Sequence, residues 1–192
     1  MSVSSYINTT FTVTFSRSLP DGPDGDAANT TRDAALALLH DHPTIVTLSP
    51  LVTRYERVDD DRDKDNDNDN NEGGDAANKN EETYLVWETI SYVPGTHLWD
   101  SELGIKAAFE DTPDGTKAAV TAPLGFKSCF EWKIVRDESG GWMAEESVTA
   151  TCPWGLRWFV EGTMRKAHEV ILGRFVERVG EKVGVGRKGD WK

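Results

Sequence analysis

The segment that follows Cys152 constrains the fold most, because its apolar residues recur three or four positions apart. This spacing predicts a long amphipathic helix with one buried face and one charged face. At about 1.5 Å per residue, such a helix needs a large apolar surface to cover its buried stripe. The predicted stripe consists of Leu156, Phe159, Val160, Thr163, Met164, Ala167, Val170, Ile171, Phe175 and Val179.

Most of the preceding sequence alternates apolar and polar residues, which is typical of half-buried strands. Residues 9–17 form the first such segment, and six more lie between residues 51 and 152. The turn sequences "PGTH", "TPDGT", "PLG" and "DESGG" separate several of them. Because short connections require antiparallel neighbours, the six segments predict a meander. Two short helices are expected between the first strand and this meander, within residues 31–49.

These elements predict an α+β protein in which a curved antiparallel sheet of six to seven strands wraps around the C-terminal helix. The helix covers the only large apolar face that the strands offer. A curled sheet cannot touch a helix everywhere, so the space between them is either filled by side chains or left as a cavity. We expect one domain over residues 9–183 and a flexible tail over residues 184–192.

The acidic stretch at residues 59–82, "DDDRDKDNDNDNNEGGDAANKNEE", carries eleven acids and three bases. It separates two predicted strands, so it is an over-long hairpin loop. From Asp61 to Glu72 its acids match the ligand positions of an EF-hand calcium loop, but Asn66 replaces the turn glycine and no helices flank it. With hardly any apolar residue, the stretch is predicted to be a disordered insertion rather than a metal site.

Composition narrows the classes of partner and location. Outside the acidic stretch, 18 basic and 22 acidic residues nearly cancel, so nucleic acid is not an expected partner. No apolar run is long enough to span a membrane. The first residues lack a signal-peptide pattern, and only two cysteines occur, so we expect a cytoplasmic protein. No nucleotide or zinc fingerprint is found, and no cofactor is expected.

Four segments resemble a known family: "LLHDHPTIVTLSPLV", "ISYVPG", "APLGFKSCFEWKI" and "FVEGTMRKAHEVILGRF". They are similar to small fungal proteins defined only as a domain of unknown function, which resemble the START-like (SRPBCC) superfamily of polyketide cyclases, lipid-transfer domains and birch-pollen-type allergens. The resemblance covers residues 9–180 without the acidic stretch. It implies a helix-grip fold with a cavity for an apolar ligand, and it supplies no catalytic residue.

Two glutamates are the candidate catalytic residues. Alternation in "TYLVWETISYV" and "WMAEESVTATC" places Glu88 and Glu146 on the apolar faces of their strands. A carboxylate on such a face must find a partner or have its pKa raised, as catalytic groups often do. The two form an acid/base pair only if both register assignments hold. The alternative is that Glu88 pairs with an arginine such as Arg54.

Aromatic and other apolar residues on the predicted inner faces are either ordinary core or a platform for a ligand. The histidines are not predicted to form a site, since His40 and His42 are expected to cap a helix C-terminus and His168 to lie on the flank of the buried stripe. The predicted ligand-binding residues are Tyr55, Tyr84, Glu88, Tyr92, Trp99, Phe109, Phe130, Trp132, Phe159 and Met164.

Three functions are compatible with these observations. The first is binding of a small hydrophobic molecule, such as a lipid, sterol or polyketide-like metabolite, between sheet and helix. The second is an enzyme of secondary metabolism, of the cyclase or isomerase type, that uses the same cavity. The third is an adaptor with a closed core whose surface binds another protein.

Overall fold

A computed structural model describes residues 7–21, 27–58, 81–91 and 100–185 of the 192-residue chain. Its strands are β1 (Asn8–Ser18), β2 (Val52–Val58), β3 (Glu81–Ser91), β4 (Asp100–Thr112), β5 (Gly115–Thr121), β6 (Lys127–Arg136) and β7 (Trp142–Pro153). Its α-helices are α1 (Ala27–Leu39), α2 (His42–Leu48) and α3 (Arg157–Lys182).

The strands form one antiparallel sheet in the order β1-β7-β6-β5-β4-β3-β2. The predicted meander from β2 to β7 is therefore confirmed. The first strand returns to pair with the last, with Phe11 opposite Ala150 and the hydroxyls of Thr10 and Thr151 2.8 Å apart. Both short helices lie between β1 and β2, as the sequence predicts.

Turn chemistry fixes two of the hairpins. After β6, the Asp137 carboxylate accepts hydrogen bonds from the backbone N–H groups of Ser139 and Gly141, and Gly140 adopts a φ of 85° that favours glycine. At the start of β5, a Cβ on Gly115 would lie 1.8 Å from the carbonyl oxygen of Trp132. Only glycine fits this close approach of two backbones, so the sequence sets both turns.

Helix α3 buries one face against the concave side of the sheet. Met164, Ala167, Phe175 and Val179 are buried as predicted, and the rings of Trp132 and Phe175 are 5.0 Å apart. The predicted stripe is wrong at two positions: Leu156 and Val170 are 42% and 41% exposed. Leu172, by contrast, is buried.

The buried face of α3 therefore differs from the stripe that periodicity predicts. Helices α1 and α2 also contact α3. These contacts cover a second side of α3, and Leu172 belongs to the same apolar core as residues of α1 and α2.

The predicted boundaries of two segments differ from the structure. Strand β3 begins at Glu81, so Glu81 and Glu82 belong to the sheet rather than to the acidic stretch. Residues 59–80, which include the EF-hand match, lie outside the described residues. At the other end, the backbone N–H of Val185 donates to the carbonyl of Gly180 at 3.0 Å, which closes α3. Residues 186–192 of the predicted tail also lie outside the described part.

His40 and His42 do not cap a helix C-terminus, contrary to the prediction. His42 is the first residue of α2 and is only 2% exposed. Its Nδ1 lies 2.9 Å from Glu82 and its Nε2 lies 2.9 Å from Asp111. His40 contacts the carbonyl oxygens of Thr112 and Gly115 instead. Both side chains thus hold the helices to the β3–β5 end of the sheet.

Candidate ligand-binding cavity

A cavity of about 490 Å³ lies between the concave face of the sheet and α3. Strands β2 to β7 supply one wall, and α2 and α3 supply the other. The α3 residues that line the cavity fall between Trp158 and Ile171, whereas Phe175 and Val179, nearer the end of this 26-residue helix, are completely buried. Towards the N-terminus of α3, helix and sheet leave space.

Most of the wall is apolar, and it contains seven of the residues that the sequence predicts for the site. Alternation along β4 and β6 turns the aromatic residues inward, as expected for strands with one buried face. The seven are Glu88, Phe109, Phe130, Trp132, Glu146, Phe159 and Met164.

Two predicted residues, Tyr55 and Tyr84, do not line the cavity. Tyr84 does face inward on β3, but at a position where His42 and Phe109 pack around its ring, and its hydroxyl donates to Glu82 at 2.8 Å. Burial, helped by the neighbouring Glu82 carboxylate, raises the pKa of Tyr84 to about 12.

Tyr55 lies on the edge strand β2 and is 40% exposed. After the register shift between Val52 and Arg54, Tyr55 pairs with the buried Val86 and so lies on the inner face, where its ring is 6.2 Å from that of Tyr84. The predicted Tyr92 and Trp99 fall outside the described residues.

A glutamate and a histidine contact each other in the cavity wall. Glu146 is 2% exposed because the alternation of β7 turns it inward between Ala144 and Val148. His168 reaches it from α3, and its Nδ1 lies 2.6 Å from Oε1 of Glu146. The imidazole also stacks on the ring of Phe15, with centroids 5.8 Å apart and planes at 13°.

The second oxygen of this carboxylate, Oε2, is buried and has no hydrogen-bond partner among the described residues. Buried polar atoms are nearly always paired, so such an exception needs an explanation. Glu146 and His168 both line the cavity, so the unpartnered oxygen belongs to a residue of the cavity wall.

His168 was not predicted as a site residue, although its position in the helical period lies on the buried face of α3. His168 follows Met164 by four residues and precedes Ile171 by three. This spacing places it on the buried face of α3 rather than on its flank. A polar residue on an apolar face opposite an inward glutamate was the signal that could have identified the pair.

Glu88 is the other carboxylate of the cavity. Burial raises its pKa above the ordinary value of 4.5, while a hydrogen bond from Ser49 and the positive charge of His168 oppose this shift. The Ser49 hydroxyl donates to Oε1 at 3.4 Å. Arg54, the predicted alternative partner, instead stacks 3.8 Å over the ring of Trp87 and contacts Glu102 at 3.5 Å.

The cavity reaches the surface where β7 meets α3. Leu156 and Trp158 both line the cavity, yet they are 42% and 78% exposed. Large apolar side chains that belong both to a cavity wall and to the surface define its mouth. Nearby Trp154 is 70% exposed but is not part of the lining.

This arrangement is suited to an elongated apolar molecule with a polar group. The aromatic and aliphatic wall accepts the apolar body, and Glu88, Glu146 and His168 offer hydrogen bonds and sites for proton transfer. Within the described residues, no group of three potential metal ligands occurs. None of the described helices is long and apolar enough to cross a bilayer.

Several solved structures share this architecture. TTHA0849 from Thermus thermophilus is 17% identical, with 88% of this chain and 96% of that chain covered and a TM-score of 0.51. The Zhui aromatase/cyclase from Streptomyces sp. R1128 is 11% identical, with 91% and 96% covered and a TM-score of 0.56. The di-domain ARO/CYC StfQ from the steffimycin biosynthetic pathway is 12% identical, with 91% and 52% covered and a TM-score of 0.57.

At these identities the likeness shows the fold alone. The predicted helix-grip fold, with a long C-terminal helix held by an antiparallel sheet, is confirmed. The chain spans about half of the StfQ chain, which has two domains. No curated protein matches the sequence.

The match at the level of sequence families is broad. The description "Domain of unknown function (DUF7053)" applies to residues 8–181, which include every described strand and nearly all of α3. The chain therefore belongs to the DUF7053 family.

Proposed function

We propose that the protein binds a small hydrophobic molecule in the cavity between the sheet and α3. The observation that carries this proposal is the cavity itself, with a volume of about 490 Å³ and a largely apolar wall. Pockets for small ligands have volumes of roughly 300–1,000 Å³ and a few polar groups in an apolar wall. A lipid, a sterol or a polyketide-like metabolite has the matching chemistry.

The mouth supports the same proposal. Trp158 and Leu156 expose apolar surface at the entrance of the cavity. This surface can contact an apolar ligand and shield it from water as the ligand enters or leaves. The similar fold of the Zhui aromatase/cyclase is compatible with binding of an organic molecule. At 11% sequence identity, however, the likeness does not indicate which substrate this chain binds. The alternative function, an adaptor with a closed core, is less consistent with a cavity of about 490 Å³.

The proposal is tested with protein purified from its own host. Native mass spectrometry should reveal a species heavier than the polypeptide, and organic extraction should release a molecule of the corresponding mass. Ala107→Phe, which places a ring in the cavity, should lose this adduct. A protein that carries no adduct and that binds none of a panel of lipids, sterols and aromatic polyketides would contradict the proposal.

An enzyme remains the second candidate, because the Glu146–His168 pair at 2.6 Å is a suitable proton-transfer group. Glu88 supplies a second titratable group in the same cavity. Once a ligand is identified, Glu88→Gln distinguishes the two functions. Loss of turnover at unchanged affinity supports a cyclase- or isomerase-type enzyme, whereas a molecule that is recovered chemically unchanged supports binding alone.

We also propose that the protein acts in the reducing environment of the cytoplasm. Both of its cysteines are free, with Cys152 buried and Cys129 exposed. An exposed free thiol suits a reducing compartment better than an oxidising one.

A further inference from the structure

We propose that the cavity selects molecules that carry a hydroxyl or phenol group on an otherwise apolar body, and that Oε2 of Glu146 accepts the hydrogen bond of this group. This inference rests on the proposed binding function and names the class of ligand. It is carried by a juxtaposition: a carboxylate oxygen that is buried, is unpartnered among the described residues and belongs to a residue that lines a largely apolar cavity.

The position of Oε2 is fixed from two sides. Strand β7 holds the backbone of Glu146, which lies opposite Trp132 of β6 in the sheet register. His168 holds the other oxygen, and Phe15 in turn stacks on the imidazole. Rotating the carboxylate to bring Oε2 towards a different partner would break the 2.6 Å contact. The site is therefore preorganised, which limits the entropy that a ligand loses on binding.

The chemistry of the pair defines what the ligand must offer. When Nδ1 of His168 carries its proton, the N–H donates to Oε1, and Glu146 acts as an acceptor at both oxygens. Oε2 then needs a donor. A hydrocarbon, an ether or an ester placed against it leaves it unpaired, while a hydroxyl pairs with it.

Selectivity follows from this difference. A site that is built to hydrogen-bond a hydroxyl rejects an analogue that lacks it, because the buried group of the protein is left without a partner. A water molecule can satisfy Oε2 when no ligand is bound, but a ligand group that displaces the water must reproduce its hydrogen bond to avoid a loss of affinity. The surrounding wall, which includes Trp132, Met164 and Ala167, binds the apolar remainder of the ligand without regard to its polar group.

The test uses three probes of nearly equal shape: 2-hydroxyanthracene, 2-methoxyanthracene and anthracene. Dissociation constants are measured with the full-length wild-type protein by probe fluorescence. We expect the hydroxyl probe to bind roughly tenfold to a hundredfold more tightly than the methoxy probe, as is typical of a hydrogen bond to a charged acceptor. This comparison needs no substitution and is independent of any folding defect.

A variant then assigns the preference to Glu146. In Glu146→Gln the amide oxygen still accepts from His168, and the amide NH₂ replaces Oε2 as a donor. We expect the preference for the hydroxyl probe to fall to about twofold or less, while anthracene binds as before. Glu145→Gln is the matched control, since Glu145 is the preceding residue of β7 and is exposed on the other face. Circular dichroism confirms that both variants fold.

The outcomes separate this inference from the proposed function. Equal wild-type affinity for all three probes would overturn the hydroxyl preference and leave hydrophobic binding intact. A hydroxyl preference that survives in Glu146→Gln would overturn the role of Glu146. Failure of all three probes to bind, together with no co-purified molecule, would overturn both proposals.

Discussion

The imidazole of His42 and the carboxylate of Asp111 are joined by a 2.9 Å contact between Nε2 and Oδ1, which ties the start of α2 to the end of β4. The opposite ring nitrogen contacts Glu82 of β3 at the same distance. A neutral imidazole has only one N–H, so both nitrogens act as donors only when both are protonated. The ring also stacks on Phe109, with centroids 4.8 Å apart, so a single buried side chain connects a helix, two strands and the aromatic core.

We expect His42→Phe to destabilise the protein by about 1–3 kcal/mol, because it keeps the ring stacking but removes two charge-assisted hydrogen bonds. Urea unfolding measures the change. A double-mutant cycle with Asp111→Asn supplies the control: the substitution at residue 111 should cost much less in the His42→Phe background than in wild type. Additive effects of the two substitutions would show that the contact contributes nothing to stability.

Glu88→Gln should stabilise the protein at high pH and not at low pH. Because burial raises the pKa of Glu88 above its ordinary value of 4.5, the folded state binds the proton more tightly than the unfolded state. Its carboxyl therefore favours folding below pH 4.5, and this contribution is lost as the pH rises through the folded-state pKa. We expect the Tm of Glu88→Gln to exceed that of wild type by on the order of a few degrees at about pH 8 and to equal it near about pH 4. A difference that is independent of pH would contradict burial of an ionised carboxylate.

Filling the cavity should abolish binding without unfolding the protein. Ala107 of β4 is buried and lines the cavity, so the ring in Ala107→Phe extends into the space that a ligand occupies. We expect ligand affinity to fall at least about tenfold and stability to change by less than about 1.5 kcal/mol, since the new side chain has room. Ala119→Phe, on the exposed face of the neighbouring strand β5, is the control and should leave affinity unchanged. Equal effects of both variants would argue that the ligand binds elsewhere.

The two exposed tryptophans at the β7–α3 junction provide a test of the mouth. Trp158 lines the cavity and Trp154 does not, although both are largely exposed. We expect Trp158→Ala to weaken ligand binding by roughly fivefold to thirtyfold, which corresponds to about 1–2 kcal/mol of lost apolar contact. Trp154→Ala should change the dissociation constant by less than about twofold. If the two variants weaken binding equally, the entrance lies elsewhere.

Replacement of residues 61–79 by a short glycine-containing turn should change the Tm by no more than about 2 °C. The strands on either side already pair up to Val58 and Thr83, so the sheet does not depend on the acidic stretch for its register. Calorimetry with calcium should give no binding heat at millimolar concentrations in either form. A large loss of stability, or a calcium heat that disappears on replacement, would show that the stretch has a structural or metal-binding role.

Local pattern predicted the parts of the site that depend on strand alternation. Glu146 and Trp132 point inward because successive residues of a strand face opposite sides, and no tertiary information is needed for that. Alternation could not show whether Tyr84 lines the cavity or belongs to the packed core. These two regions lie on the same face of β3, and only the position of α2 separates them. Tyr55 also lies on the inner face, opposite Val86, but it packs beside Tyr84 on the edge strand, and alternation does not show which part of that face borders the cavity.

Periodicity cannot predict contacts between residues that are far apart in the sequence. His42 meets Glu82 and Asp111 across separations of 40 and 69 residues. Its neighbours in the sequence give no indication of either partner. The Glu146–His168 pair was closer to prediction, because each residue lies on the apolar face of its own element, and only the helical position of His168 was misjudged.

The pairing of β1 with β7 has a consequence for biosynthesis. The hydroxyls of Thr10 and Thr151 meet across a separation of 141 positions, so β1 leaves the ribosome long before β7, the strand that covers its edge. Loop closure over such a distance slows folding and leaves a bare strand edge during translation. The nascent chain thus completes this sheet, against which α3 packs, only after β7 has been synthesised.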